Sequence, residues 1–393
     1  MTTFAEQFQQ LGLLLTEHRS YWHLLPFACT DMPWPDTELA DQLQQLDEPA
    51  MTALEQDQQL RQQFFGRFFP ALFSLPELAQ GEVKAVAPVP FWLETGIGGR
   101  KLQQIDALCQ QWLPESLPIV EWCAGKGHLG RILAQRFQQP VTSIEWQQPL
   151  CDEGAKLAYK HTLPQRFICA DVLTAPLQAV LQPEQHLVAL HACGQLHIRL
   201  LEQVVTAQCR QLQLVPCCYH LIPTQCYQPL SQLAQQLDLK LTKEDLKLVV
   251  QGQVTGGERI NRLRHTEVLW RLAYDELRAD ISAKTEYKAL PSIAKHWFSA
   301  DFASFAKWAA QQHGLVLPAE VNWQSYLERA TTRHMRVRRI ELVRHLFRRP
   351  LEIWLALDKA LYLQQQGYKV RLTQLCQPDV TPRNILISAV KPA

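Results

Sequence analysis

The chain has 393 residues, of which 47% are hydrophobic and 20% are charged, and its formal net charge is +1. This composition excludes a largely disordered protein and is typical of a globular one with two or three domains. The near-zero charge indicates neither a nucleic-acid nor a membrane partner for the protein as a whole, so only local clusters of charge can point to one.

The cellular setting is indicated by the cysteines and by the lack of long apolar runs. Eleven cysteines are scattered without a disulfide-type spacing, which predicts reduced thiols and a cytoplasmic protein. The first residues lack a basic stretch followed by an apolar one, so we expect no signal peptide. No stretch approaches about 18 uncharged apolar residues, so we expect no membrane span.

The first part of the chain, residues 1–95, reads as an N-terminal helical region. It is rich in Gln, Leu and Phe at helical spacing, and a turn at residues 33–35 makes Asp36 a candidate helix cap. Residues 86–101 are punctuated by proline and glycine, which is typical of a linker into the next unit.

In the second part, residues 96–230, short apolar segments alternate with helical patterns. Such alternation predicts a parallel sheet covered by helices on both faces, and therefore an α/β fold. The predicted strands lie within residues 117–123, 141–146, 166–173, 186–194 and 209–220.

The alternation stops near residue 230. Residues 231–345 have mostly helical patterns and are predicted to form a helical insertion. Residues 346–393 read as one long helix, closed by Gly367, and two strands joined by turn residues. These two strands are expected to form an antiparallel pair that completes the core sheet.

A glycine-rich segment, IVEWCAGKGHLG at residues 119–130, stands where the first strand should pass into a helix. Gly125 and Gly127 lack a Cβ, so the backbone there can adopt positive φ and approach a ligand closely. The helix that follows offers unpaired N–H groups at its start. Packing and turn formation alone are the alternative explanation for these glycines.

Three acidic residues, Glu121, Glu145 and Asp171, fall at the ends of three successive predicted strands. In open α/β sheets ligands bind at this carboxyl edge, where an acid about 20 residues beyond the loop suits the hydroxyls of a ribose. Glu121 would repel a phosphate but attract an ammonium group. The pattern therefore favours a nucleoside with a cationic or neutral tail over one with a pyrophosphate, and a helix or turn cap is the alternative role for Asp171.

The segments VEWCAGKGHLG, SIEW, CADVL, VALHACG and VPCCYH, in this order, resemble the class I S-adenosylmethionine-dependent methyltransferases. More narrowly, they are similar to a methyltransferase-like subgroup that includes the methyltransferase half of the glutathione S-transferase C-terminal domain-containing protein. The resemblance covers residues 96–230 and the closing strand pair. It implies a seven-stranded Rossmann-like sheet whose final strand is antiparallel, and S-adenosyl-L-methionine as cofactor.

The resemblance also implies roles for single residues. Gly125 and Gly127 would pass beside the methionine part of the cofactor, Glu145 would hold the ribose, and Asp171 would hold the adenine edge. Cys123 occupies the position where the family usually has the first glycine of the loop, and its side chain would narrow the floor of the site. The predicted cofactor-lining set is Glu121, Cys123, Gly125, Gly127, Glu145, Asp171 and His191.

Cysteine and histidine cluster at the ends of the fourth and fifth strands, and His191, Cys193, Tyr219 and His220 are the candidate catalytic residues. The cluster could bind a metal, supply a thiolate that adds to C6 of a cytosine, or simply line the acceptor site. The adjacent Cys217 and Cys218 are expected to point apart, and no CxxC spacing is present. We therefore predict no metal site and assign Tyr219 and His220 to binding or deprotonating an acceptor.

An arginine-rich helix is predicted near residues 329–349, where eight arginines fall in 21 residues. Arginine binds phosphate through two parallel hydrogen bonds, so such a run can follow a nucleic-acid backbone. Arg336, Arg338, Arg339 and Arg344 are the candidate RNA-binding residues. The alternative is a solvated helix face whose charges pair with acidic residues elsewhere.

The sequence as a whole favours an S-adenosylmethionine-dependent methyltransferase that acts on RNA. Methyl transfer from a sulfonium needs an in-line approach and a desolvated site more than a catalytic triad, which fits the lack of one. Methylation of a small molecule or a protein is one alternative. A non-catalytic nucleotide-binding scaffold is another, because fold alone does not fix function.

Overall fold

The computed structural model describes residues 2–35, 37–237, 239–251 and 258–392, and Asp36 lies outside these ranges. The chain divides into two compact units. The first unit comprises residues 1–18, 75–253 and 348–393, and the second comprises residues 19–74 and 254–347. These boundaries differ from the contiguous domains that the sequence indicates, because the N-terminal region 1–95 is shared between the two units.

The helices occupy most of the described chain outside the sheet. In chain order they are α1 Phe4–Glu17, α2 Arg19–Trp22, α3 Glu38–Gln44, α4 Glu48–Gln56, α5 Gln58–Phe65, α6 Pro70–Phe73, α7 Phe91–Glu94, α8 Gly99–Gln110, α9 His128–Phe137, α10 Gln148–Lys160, α11 Gln195–Thr206, α12 Gln232–Gln236, α13 Lys243–Leu248, α14 Glu258–Ser282, α15 Phe302–His313, α16 Trp323–Arg344 and α17 Arg348–Gln365. Short 3₁₀ helices cover Pro26–Ala28, Lys295–Ser299 and His345–Phe347. No helix in these described ranges is long and apolar enough to cross a bilayer.

The first unit is built on a seven-stranded sheet in the order β3-β2-β1-β4-β5-β7-β6. Its strands are β1 Ile119–Trp122, β2 Val141–Glu145, β3 Gln165–Cys169, β4 His186–Cys193, β5 Gln211–Cys217, β6 Lys369–Gln374 and β7 Ile385–Val390. Strands β1 to β5 are parallel, and β7 runs antiparallel to both β5 and β6. The predicted α/β architecture with an antiparallel last strand is confirmed.

A buried hydrogen-bond network joins three neighbouring strands beneath the start of α9. The Ser143 hydroxyl donates to Glu121 Oε2 at 2.6 Å, and the Gln165 amide donates to Ser143 Oγ at 2.8 Å and to the Gly127 carbonyl at 3.2 Å. A Cβ added at Gly130 would lie 2.5 Å from Glu121 Oε2 and 2.5 Å from Gln165 Nε2. The third glycine of the segment is therefore required because α9 packs directly on this polar network.

Helix α17 anchors two other segments of the first unit. The Phe8 ring of α1 stacks on Trp354 with ring centroids 4.6 Å apart. Asp358, which is fully buried, accepts hydrogen bonds from the Tyr227 hydroxyl at 2.7 Å and from the Ser231 N–H at 2.8 Å. These contacts bind the chain that follows β5 to a helix more than a hundred residues later in the sequence.

The second unit contains α14, α15 and α16 around an aromatic core that includes Trp270 and Phe305. Helices α14 and α16 are also joined by charge. Arg333 on α16 contacts Asp275 at 2.8 Å and Glu276 at 2.8 Å on α14. Part of the positive charge on α16 is therefore balanced by the neighbouring helix of the same unit.

We predict that Glu121 makes the stability of the protein depend on pH. Burial raises the pKa of this carboxyl from 4.5 to about 7, whereas Ser143 and the Gly130 N–H act in the opposite direction. Because the pKa is raised in the folded state, Glu121 makes its full contribution to the free energy of unfolding below pH 4.5. This contribution is lost as the pH rises through about 7. In Glu121→Gln the loss of unfolding free energy between pH 5 and pH 8 should be smaller than in the parent by about 2–3 kcal/mol.

Denaturant unfolding at the two pH values measures this difference. The exposed Glu184 provides the control, and Glu184→Gln should retain the pH dependence of the parent. Identical pH dependence in the parent and in Glu121→Gln would show that Glu121 is ionised without cost in the folded protein.

Candidate functional site

The loop after β1 has a left-handed backbone at three positions. φ is +55° at Cys123, +59° at Gly125 and +65° at Gly127. Glycine adopts this conformation without strain, whereas Cys123 occupies it at a cost. A Cβ added at Gly125 would meet no atom within 4 Å, so the loop borders open space and has not collapsed around Cys123.

Glu145, the last residue of β2, fixes this loop. Its Oε2 accepts a hydrogen bond from the Gly125 N–H at 2.9 Å, and its Oε1 accepts one from the Gln147 N–H at 3.1 Å. The carboxylate is almost fully buried. Each oxygen retains a second lone pair, so the predicted contact with two ribose hydroxyls is compatible with these internal bonds.

Asp171 lies two residues beyond the end of β3 and is exposed. Its Oδ1 accepts a hydrogen bond from the Leu173 N–H at 2.9 Å, which is the turn-capping role that the sequence left open. This contact uses one carboxylate oxygen and leaves Oδ2 for a donor such as an exocyclic amine. Glu121 differs, because it is buried under α9 and one of its oxygens is held by Ser143.

His191 sits at an irregularity of β4 that the sequence did not predict. Its φ is +66°, and the pairing register with β5 shifts between Leu190 and Ala192. In a regular strand His191 and Cys193, two residues apart, would face the same side of the sheet, and this bulge removes that regular alternation.

The His191 ring is held by Gln104 of α8, whose amide oxygen lies 2.6 Å from Nε2. Because that oxygen can only accept, the ring proton is on Nε2 and Nδ1 keeps a lone pair. Nδ1 is buried without a hydrogen-bond partner among the described residues. Burial, with a contribution from Arg383, lowers the pKa of His191 to about 4, so the ring is neutral at physiological pH.

Three thiols converge where β4 and β5 end. Cys193 and Cys217 are paired across the two strands, and their Sγ atoms are 3.1 Å apart. The Sγ atom of Cys218 lies near both, so that all three sulfur atoms are within 4.8 Å of one another. The expectation that Cys217 and Cys218 point apart is wrong. Cys218 has a φ of +45°, so the alternation of a regular strand ends before it.

The contacts among the three thiols lower the pKa of Cys218 and raise that of Cys217. Contacts from the Cys193 and Cys217 thiols lower the pKa of Cys218, with Arg383 and His220 adding to the effect. Contacts from the Cys193 and Cys218 thiols raise the pKa of Cys217. Cys218 is therefore the thiol of this group that carries negative charge most readily.

Tyr219 and His220 are placed differently from one another. Tyr219 is 1% exposed, its ring packs edge-on against His197 at 5.4 Å, and burial raises the pKa of its hydroxyl. This placement suits packing and does not suit the predicted contact with an acceptor. His220 is half-buried, and its Nδ1 has no partner within the described ranges. Burial lowers the pKa of its imidazole.

A pocket of ≈ 690 Å³ opens along the same carboxyl edge. It is lined by segments that follow β3, β4 and β5, namely Leu173, Gln195, Arg199, Glu202, Leu221, Ile222 and Pro223. Arg199 and Glu202 form an ion pair at 3.2 Å, so the lining carries no net charge. A pocket of this size and mainly apolar character fits one small molecule or one planar group.

Two of the predicted RNA-binding arginines are engaged within the second unit. Arg338 contacts Glu48 at 3.0 Å and Glu55 at 3.1 Å, both on α4. Arg344 is only 2% exposed, and its Nε donates to the Trp22 carbonyl at 3.0 Å. A buried or paired guanidinium is not available to a phosphate, so the structure places these two side chains in internal contacts instead.

The other two arginines are more accessible. Arg339 is half-buried and donates to the Leu46 carbonyl at 2.8 Å. Arg336 is partly exposed, and the described residues supply no hydrogen bond or ion pair for it. Among the four arginines that the sequence singled out, Arg336 is the one best placed to contact a phosphate.

Sequence reasoning did not identify Gln104, Arg383 or the third thiol, Cys217, as parts of the site. Gln104 and Arg383 lie 87 and 192 positions from His191, so no local pattern connects them to it. Gln104 lies on the helix that precedes the first core strand, and its burial is evident only from the structure.

Known proteins share the sequence pattern of this site. A family described as a methyltransferase domain matches residues 100–225, which is less than half of the chain. The matched range contains the glycine loop, Glu145, Asp171 and both cysteine segments.

Solved structures match parts of the chain at low identity. A SAM-dependent methyltransferase from Aquifex aeolicus is 14% identical over 32% of this chain and 72% of its own, with a TM-score of 0.26. Magnesium protoporphyrin IX methyltransferase from Synechocystis PCC 6803, solved with bound SAH, is 14% identical over 39% of this chain and 69% of its own, with a TM-score of 0.25. The [4+2]-cyclase SpnF is 14% identical over 39% of this chain and 58% of its own, with a TM-score of 0.26. These likenesses are too distant to bear on the acceptor.

The residues at the carboxyl edge fit S-adenosylmethionine. The Cβ-free loop at Gly125 borders open space, Glu145 retains lone pairs beside it, and Asp171 presents a carboxylate oxygen two residues beyond the next strand. Residues 100–225 match a methyltransferase domain, and the geometry at this edge is compatible with S-adenosylmethionine as its cofactor.

Proposed function

We propose that the protein methylates RNA and holds the acceptor group in the pocket beside the ends of β3, β4 and β5. The observation that carries the RNA assignment is Arg336 on α16, which is partly exposed and has no hydrogen bond or ion pair among the described residues. The pocket supports the proposal because its neutral, mainly apolar lining suits a single unstacked base.

The cofactor supplies a methyl group on a sulfonium, and the chain's own residues position the acceptor and receive its proton. We assign His191 Nδ1 as the atom that accepts this proton, because it carries a lone pair and because Gln104 fixes the ring through Nε2. A hydroxyl oxygen or the exocyclic amino nitrogen of a base becomes strongly acidic when it gains a methyl group, because it then carries a positive charge. Even a base with a pKa of about 4 can then accept the proton.

A free small molecule is the second candidate acceptor. The Arg199–Glu202 ion pair makes the pocket neutral, and its volume lies in the range of small-ligand sites. Engagement of Arg338 and Arg344 within their own unit also reduces the charge that RNA could meet. The two candidates therefore differ in whether phosphate contacts contribute to binding.

We predict that labelled S-adenosylmethionine transfers its methyl group to total cellular RNA in the presence of the purified protein. The label should become acid-soluble after nuclease treatment, because it resides in nucleotides. The parallel reaction with a small-molecule extract should remain unlabelled above the level of boiled protein. Label confined to the extract would favour the second candidate and contradict RNA as the acceptor.

Binding of S-adenosylhomocysteine should depend on the loop and on both acids. Gly125→Val should abolish binding, because a branched side chain is strained at a φ of +59° and would enter the open space beside the loop. Glu145→Ala and Asp171→Ala should each weaken it by about 1–3 kcal/mol, or roughly 5- to 150-fold.

Calorimetry provides this measurement, and circular dichroism confirms that the variants are folded. Asp152→Ala is the control, since Asp152 is an exposed residue of α10. Parent-like affinity in all three test variants would contradict the assignment of the cofactor site.

Arg336→Gln should weaken RNA binding and should flatten its salt dependence. Loss of one phosphate contact lowers the slope of log K against log salt by about 0.7–0.9, because fewer counterions are released. Arg338→Gln is the matched control on the same helix. Its guanidinium is held by two glutamates, so the slope should not change even if stability falls.

Fluorescence anisotropy with a labelled RNA at several salt concentrations distinguishes these variants. Equal affinity and slope for the parent and for Arg336→Gln would remove the support that α16 gives to RNA. Calorimetry with S-adenosylhomocysteine on the same samples should show unchanged cofactor binding, because Arg336 belongs to a different unit from the cofactor site.

A further inference from the structure

The ends of β4 and β5 bring three cysteine side chains together by backbone geometry. The register pairs Cys193 with Cys217 on adjacent strands, so their side chains are direct neighbours. Cys218 follows with a φ of +45°, and its carbonyl accepts a hydrogen bond from the Leu221 N–H at 2.9 Å. This turn directs a second thiol from β5 toward the same point.

The spacing of the three Sγ atoms matches a thiophilic metal ion. Zinc binds thiolate sulfur at about 2.3 Å in a tetrahedron, so two sulfur ligands lie about 3.8 Å apart. The Cys193 and Cys217 sulfurs are 3.1 Å apart, and all three sulfurs lie within 4.8 Å of one another. These values bracket the required separation.

The backbone is left-handed within β4 and just beyond the end of β5. His191 and Cys218 are non-glycine residues with φ values of +66° and +45°, one beside each strand end. Such conformations cost free energy and persist where the surrounding structure enforces them, often at functional sites. Here they are what allows the thiols to converge.

The surroundings of the thiols also suit a bound cation with three thiolates. Arg383 acts electrostatically on both Cys193 and Cys218 and is not hydrogen-bonded through its Nε. Three thiolates around Zn²⁺ carry a net charge of −1, which a neighbouring guanidinium would balance.

In contrast to the expectation of no metal site from the sequence, we propose that Cys193, Cys217 and Cys218 form a three-thiolate binding site for Zn²⁺. Binding releases the three thiol protons to solvent, forms three Zn–S bonds and changes no oxidation state. A three-ligand site leaves the fourth position for water, an imidazole or an acceptor atom, as in catalytic zinc sites. Cys193 and Cys218 are partly exposed, so this position can be reached from outside.

The test is metal analysis of the full chain after incubation with zinc and removal of the excess by gel filtration. We expect about one zinc per chain in the parent and a content well below one in Cys218→Ser and in Cys193→Ser. Cys226→Ser is the matched control, because Cys226 is also a partly exposed free cysteine that lies eight positions beyond Cys218. It should keep the zinc content of the parent.

A second measurement on the unmodified parent does not depend on how the variants fold. Stepwise addition of a mercurial reagent should release the zinc as the clustered thiols react, and a metal-sensitive dye reports the release. A parent that binds no more zinc than Cys218→Ser would overturn the proposal. So would the loss of two titratable thiols in air with no zinc bound, since Cys193 and Cys217 would then form a disulfide.

Discussion

The start of α9 is held by a polar network that crosses three strands, and the geometry of the cofactor site depends on it. Glu121, Ser143 and Gln165 lie on β1, β2 and β3, and hydrogen bonds connect them below the first turn of the helix. The network fixes the height of α9 above the sheet, because nothing larger than a hydrogen fits at Gly130. With the helix fixed, the loop between Trp122 and His128 has one path, and Glu145 can bond its backbone. A carboxyl group with a raised pKa thus serves as a structural support beside a binding site.

Much of the fold could be predicted from the sequence because its signals are local. Short apolar runs that alternate with helical periods specify a parallel sheet, and turn residues between the last two runs specify an antiparallel pair. The glycine loop, Glu145 and Asp171 could be located for the same reason, since each directly follows a strand. The division into two units was not predictable. Residues 19–74 belong with a segment that begins about 180 positions after them, and no local pattern encodes such pairing.

The details of the site depended on departures from regular structure and on distant partners. Strand alternation predicts that adjacent cysteines diverge, but Cys218 has already left the strand conformation. Tyr219 looked available at a strand end, yet Lys359 and His197 enclose its ring. The arginines of α16 formed a basic run in sequence, and Glu48 and Glu55 pair with one of them from nearly 300 positions away. For Tyr219 and for the arginines, the deciding contacts involve residues that are remote in the chain, whereas for Cys218 the local backbone conformation decides.

The contact between Gly194 and Leu221 has a consequence for how this active site can diverge. A Cβ at Gly194 would lie 2.0 Å from the Leu221 carbonyl oxygen, and the Gln195 N–H donates to that same oxygen at 2.8 Å. One wall of the pocket is therefore set by main-chain atoms, whereas the Leu221 side chain is 52% exposed. Replacement of that side chain alters the shape offered to an acceptor and leaves the main-chain frame in place. A substitution at Leu221 would therefore change the shape of the pocket, whereas Gly194 has no room for a side chain.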